Sequence, residues 1–185
     1  MLEYDRVEAQ LRAFPPVTNL DQDAARQTHV SRSVARLSAV QALYQLAMSG
    51  GNTEDIIGQF DESDAGGRSD DGDGEVIAKA DSALFADLVR GTCAKMADID
   101  EMVSSCLDDA WPVERMEILL RAILRCGAYE LFSQPSVPAR VVISEYVRVT
   151  DAFFEGKEPA LVNAVLDKLA RVLRPEELAE EGNRG

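Results

Sequence analysis

The stretch MEILLRAILRCGAYEL, residues 116–131, decides the fold class. Met116, Leu119, Leu120, Ile123, Leu124, Gly127 and Leu131 recur at intervals of three and four, which places them on one side of a helix, and no two-residue alternation competes. Working outward, Ile143, Tyr146, Val147, Thr150, Phe153 and Phe154 form a second stripe, and Val162, Val165, Leu166, Leu169, Val172 and Leu173 a third. Upstream, Phe85, Leu88, Val89, Thr92, Met96, Ile99 and Val103 predict one long helical stretch. Ala35, Ala39, Ala42, Leu43 and Leu46 share a face of an Ala-rich helix over Val34 to Ala47, and a short helix falls near Glu54 to Phe60. Prolines punctuate these elements. Pro112 stands at one start, Pro135 and Pro138 separate two helices, Pro159 fits a first turn and Pro175 ends the last. The pattern predicts an all-α protein, a compact bundle of six to seven helices with no sheet, whose short connections pack sequential helices antiparallel or at steep angles.

The flanks read differently. Residues 1–30 predict an extension, partly mobile, with a short helix near Val7 to Phe14 that Pro15 and Pro16 stop. Residues 61–75, DESDAGGRSDDGDGE, combine acids with four glycines and predict a solvated, disordered loop inside a helical domain spanning 31–178. An acidic tail follows at 179–185. The formal charge of −14 by itself argues against binding a polyanion, but its distribution removes that objection. The loop carries net −6, residues 1–30 net −2 and residues 176–185 net −3, so −11 lies outside the body, which is nearly neutral and can carry a local basic patch.

Several function classes are excluded on residue types. Cys93, Cys106 and Cys126 are widely spaced without a C-x-x-C pair, which predicts reduced, partly buried thiols. His29 is the only histidine and lies in a polar stretch, poorly placed to activate a thiol. The acidic loop lacks the ordered Asp spacing and closing Glu of a calcium site. No metal site, cofactor motif, phosphate-binding loop or nucleophile elbow is present, so no enzymatic activity is expected. No run nears the roughly 20 apolar residues of a membrane span, and the opening MLEYDRVEAQLRAF lacks the features of a secretory signal; a cytoplasmic protein is expected.

Five strings in order go further. Arg32-Ser-Val-Ala-Arg36 with Ala-Val-Gln41-Ala-Leu-Tyr44-Gln45, then Phe85-Ala-Asp-Leu-Val-Arg-Gly91, then Trp111 with Arg121-Ala-Ile-Leu-Arg125 and Ala128-Tyr129-Glu130-Leu131, then Val137-Pro138 with Ile143-Ser-Glu145, and last Leu161-Val-Asn163-Ala-Val-Leu-Asp167-Lys168, together resemble the NusB family of bacterial transcription antitermination factors across residues 31–174. The resemblance implies two three-helix bundles and no catalysis. It implies a partner, the small-subunit ribosomal protein called NusE in its transcription role, with which the family recognises boxA RNA and helps RNA polymerase resist termination on ribosomal RNA operons.

By that resemblance Arg32 and Arg36 match the family's arginine-rich RNA-binding motif; their i, i+4 spacing puts them on one side of a helix, able to reach neighbouring phosphates or to form an ordinary solvated pair. Ser31 and Ser33 stand where the family motif has bases, which implies weaker RNA affinity or greater reliance on the partner. Gln41 matches an RNA-reading position, about half a turn away from Arg32. Tyr44 matches a partner-surface aromatic; the alternative is that its ring caps the bundle core. Leu120 holds a partner-facing position in the family and also fits the core stripe. Lys157 lies in a loop near RNA in the family, and Leu161 replaces a phenylalanine that would stack on a base. Glu117, Arg121 and Arg125 predict a surface ion-pair ladder, and Asn163 and Asp167 structural capping or inter-helix hydrogen bonds. The expected function is antitermination through boxA RNA and NusE; the alternative is a protein–protein interaction module of the same fold that has lost RNA binding. Self-association as a homodimer is left open by the pattern.

Overall fold

The computed structural model describes residues 18–66, 79–107 and 113–177. Among these, seven α-helices and one short 3-10 turn, Val113–Arg115, account for the architecture, with no strand. Helix α1 is Thr18–Ser49, α2 Thr53–Gly66, α3 Ser82–Ala94, α4 Met96–Cys106, α5 Ile118–Ser133, α6 Ala139–Asp151 and α7 Glu158–Leu173.

Helix α1 runs through the segment expected to be a mobile extension, starting at Thr18 rather than near Val34. No glycine or proline interrupts residues 18–49, and Asp, Gln, Ala and Arg over 21–27 sustain a helix without needing a partner. Gly50, with φ of 65°, ends it as its N–H closes onto the Leu46 carbonyl at 2.9 Å. Helix α2 likewise extends to Gly66, into the stretch expected to be a disordered loop, because Asp61 to Ala65 contain no breaker and the first glycine comes at 66. The remainder of that loop, the helix expected near Val7, Trp111 with Pro112, and the tail at 179–185 lie outside the described residues.

The long helix expected from Phe85 to Val103 is two. Lys95, at φ −113° and ψ 20°, breaks it between α3 and α4. Packing dictates the break: α3 lies against α1 and α2, whereas α4 turns to lie against α5 and α7. Asp81 fixes the start of α3 by accepting from the Leu84 N–H at 3.0 Å.

Helices α1, α2 and α3 pack on one another, as do α5, α6 and α7, giving two three-helix groups, with α1 and α3 also laid against α5 so that one core serves both. The contact between α3 and α5 requires Gly91, where a Cβ would sit 1.9 Å from Tyr129 Cζ. The far end of α5 is clasped by Arg174. Its guanidinium donates to the carbonyls of Leu131 (Nε, 2.9 Å), Gln134 (Nη2, 3.0 Å) and Val137 (Nη1, 2.6 Å), satisfying acceptors that a helix end leaves over. Glu177 completes the clasp by accepting from the Ala139 N–H, the first of α6, at 2.6 Å. The three thiols are free, with Cys106 and Cys126 buried and Cys93 half-buried.

Candidate functional site

Helix α1 positions four of the six site residues singled out in the sequence, and its two sides differ in kind. Ala35, Arg36, Ala39, Val40, Ala42 and Leu43 are buried, whereas Gln41 and Tyr44 are exposed on the outer side, Tyr44 at 39%. At 100° per residue Arg36 falls between Leu43 and Val40, inside the apolar stripe. The expected phosphate contact from Arg36 is therefore corrected: only 2% of it is exposed, and its guanidinium is fully engaged within the core. Nε donates to Glu130 Oε2 at 2.9 Å, Nη2 to Glu130 Oε1 at 2.6 Å and Nη1 to Glu145 Oε2 at 3.4 Å. Burial opposes the charge on Arg36, but the bond to Glu130 and the nearby carboxylates prevail and raise its pKa.

Around this ion pair the structure builds a junction among α1, α5 and α6. The Tyr146 hydroxyl donates to Glu130 Oε2 at 2.9 Å and lies 3.2 Å from Cys126 Sγ. Burial pushes the Cys126 thiol up to about 12 and the Tyr146 phenol well above its usual range, so both stay protonated at neutral pH. Glu145 also accepts from Ser33 Oγ at 2.5 Å and from Arg148 Nη1 at 2.8 Å, with His29 Nε2 at 3.6 Å. Two buried carboxylates thus share one buried arginine, and the surplus negative charge is met at the surface by Arg148. Sequence reasoning gives no role in a site to Glu130, Glu145 or Arg174. The available signal is an acid inside an apolar stripe, which demands a buried cation.

The remaining site residues divide. Arg32 is half-buried, and its Nε is enclosed without a hydrogen-bond partner among the described residues. Leu120 is 3% exposed and belongs to the core, which corrects its expected contact with a partner: the stripe of α5 faces α1, α3 and α7. Lys157 is exposed at the start of α7. The expected ladder on α5 does not form, because Arg125 reaches across to Asp100 of α4 with two bonds of 2.7 and 2.6 Å, while Arg121 Nε is enclosed without a partner among the described residues. Ser31 and Ser33 are engaged internally, Ser31 Oγ donating to the Lys79 carbonyl at 2.7 Å. Asp167 accepts from Arg171 one turn on at 2.8 Å, and Asn163 is exposed.

Beside the junction, α1 and α6 enclose a cleft of about 500 Å³ whose walls include Val30, Val34, Leu37 and Val149, with Arg26 and Arg148 also lining it. On α1 this side continues in a line of i, i+4 and i+3 steps through Arg26, Val30, Ser33, Leu37, Gln41 and Tyr44. Among the described residues no group of three or more His, Cys, Asp or Glu side chains is placed to hold a metal ion, and no helix is long and apolar enough to cross a membrane.

Comparison with known proteins agrees with this architecture. Residues 33–171 match the model of the NusB family. The chain is 43% identical over 148 residues to the transcription antitermination protein NusB of Rhodopseudomonas palustris (strain BisB18), covering 80% of this chain and 86% of that one. It is 46% identical over 144 residues to the corresponding protein of Caulobacter vibrioides, covering 77% and 94%. In fold it is similar to a chain in the crystal structure of the antitermination factors NusB and NusE with double-stranded RNA, at a TM-score of 0.60, 21% identity and coverage of 80% and 98%. With its seven described helices, its ordered motifs and these matches over most of its length, the chain belongs to the NusB family.

Proposed function

We propose that this protein is a transcription antitermination factor of the cytoplasm that binds boxA RNA jointly with the small-subunit ribosomal protein NusE, within the antitermination complex of RNA polymerase. What carries the reading is the 43% identity, over 80% of the chain, to a protein bearing that function in its name. The geometry suits an adaptor rather than a stand-alone RNA binder. With Arg36 internal, Arg32 and Gln41 on α1 and Lys157 at the head of α7 are the RNA contacts, and Tyr44 the contact to NusE. So few cations on an acidic chain supply little sequence-independent affinity, and the partner must complete the surface.

A titration of boxA RNA with the protein, with NusE and with their mixture, each at two salt concentrations, tests this. Tight, sequence-dependent binding by the mixture alone is expected. Arg32→Ala should weaken that binding several-fold and reduce its salt dependence by about one phosphate contact, with helix content unchanged. Arg36→Ala is unsuitable for this purpose, because it removes a core ion pair. A second reading, a protein-interaction module without RNA binding, is favoured by the internal engagement of Arg36, Ser31 and Ser33. It would be the correct one if the mixture bound RNA no better than NusE alone although the two proteins associate.

A further inference from the structure

The cleft between α1 and α6 combines an apolar lining with cations from both of its walls. Val30, Val34, Leu37 and Val149 supply the first, and the exposed side chains of Arg26 on α1 and Arg148 on α6 the second. Resting on the RNA-binding reading above, we propose that Arg26 and Arg148 are further RNA contacts, which seat a backbone phosphate at the mouth of this cleft while the adjoining ribose and base lie over its apolar lining.

The charge in the cleft suits an anion although one acid lies in it. Glu145 is the only acid among its described walls, and it is 4% exposed with both oxygens engaged, Oε2 by Ser33 and Arg36 and Oε1 by Arg148. With Glu130 included, two buried carboxylates face Arg36, Arg148 and Arg26, so one positive charge is left over, and the groups that reach solvent are the arginines. Asp151, the next acid on α6, is exposed outside the described walls. Geometry favours phosphate as well. Glu145 takes Nη1 of Arg148 at 2.8 Å, which fixes the guanidinium, while Nε and Nη2 have no bond to a described residue. Those two nitrogens form one edge of the guanidinium, the edge that grips a phosphate with two parallel hydrogen bonds. The site is also continuous with Gln41. The line from Arg26 through Val30, Ser33 and Leu37 reaches Gln41 after about 22 Å of α1, so one strand lying along that side meets the cleft and Gln41 in turn.

Titration of boxA RNA with the mixture of this protein and NusE, at several salt concentrations, tests the site. The variants are Arg26→Ala, Arg148→Ala and Arg148→Lys, with Arg90→Ala, from the exposed pair with Glu54 on α2 and α3, as the comparison. Arg26→Ala and Arg148→Ala should each weaken binding roughly three- to tenfold and lower its salt dependence by about one phosphate contact. Arg148→Lys keeps the charge without the two-bond edge, so it should restore the salt dependence and only part of the affinity. Arg90→Ala should change neither. Wild-type affinity and salt dependence in Arg26→Ala, whose exposed side chain can be removed without opening the core, would overturn the proposal even if Arg148→Ala disturbed the fold. An equal loss in Arg90→Ala would overturn it too, by assigning the effect to net charge. Should wild type add no RNA binding to that of NusE alone, the RNA-binding reading and this site would fall together, whereas normal wild-type binding with unaltered variants removes the site alone.

Discussion

Two arginine–carboxylate pairs in this molecule have nearly the same geometry and opposite surroundings. Arg36 grips Glu130 through Nε and Nη2 at 2.9 and 2.6 Å, and Arg90 grips Glu54 through the same two nitrogens at 2.7 and 2.6 Å. The first pair is 2% and 0% exposed, the second 51% and 59%. Bond lengths therefore do not distinguish them; desolvation does. Removing a partner from the exposed pair returns a carboxylate to water, whereas removing Arg36 strands two carboxylates in the core.

The sharpest way to break this comparison is Arg36→Ala, which should cost about 3–5 kcal/mol by denaturant titration. A loss below about 1 kcal/mol would mean that water already reaches the junction. The junction should next reveal itself in alkali. Cys126 is raised from 9 to about 12 by burial, and Tyr146 is raised well above 10 for the same reason, so the folded state favours their protonated forms. The stability this contributes is complete below pH 9 and is lost as pH climbs toward 12. Cys126→Ala should flatten that decline in a pH series of melting points, and an identical slope would remove the thiol from the account. Arg125→Ala sharpens the middle of the scale: its pair with Asp100 is 16% and 32% exposed, and a loss of about 1 kcal/mol is expected. Smallest of all is Arg90→Ala. It should leave the melting temperature unmoved and let the Glu54 carboxyl, held below the usual range by Arg90, drift back up in an NMR titration.

The same contrast explains what could be read from the sequence. Stripes such as Met116 to Leu131 report the helices faithfully, because apolar spacing is a local property. The break at Lys95 escapes such a reading, since the stripe continues through it and only the differing partners of α3 and α4 require it. For Arg32 and Arg36 the spacing argument is sound, for they do share a side of α1; that side buries Arg36 and leaves Arg32 half-buried at its margin. Recognising this needs Glu130 and Glu145, which stand 94 and 109 residues away from Arg36. Leu120 is open between core and surface for a related reason, because a lone apolar residue reads identically in both. Gln41 and Tyr44, by contrast, fall on the outer side of the wheel, where the structure has them.

Those separations bear on the order in which the molecule is completed during synthesis. Helix α1 emerges from the ribosome early, carrying a buried-type arginine with no counter-charge yet made. Glu130 appears only after most of α5, Glu145 only within α6, and Arg174, which caps the carbonyls of Leu131, Gln134 and Val137, only after α7. Translation at about 5–20 residues per second makes this wait several seconds. The first three helices can gather, but α1 cannot settle until nearly the whole described chain exists. Until then its inner side is the surface a chaperone would find.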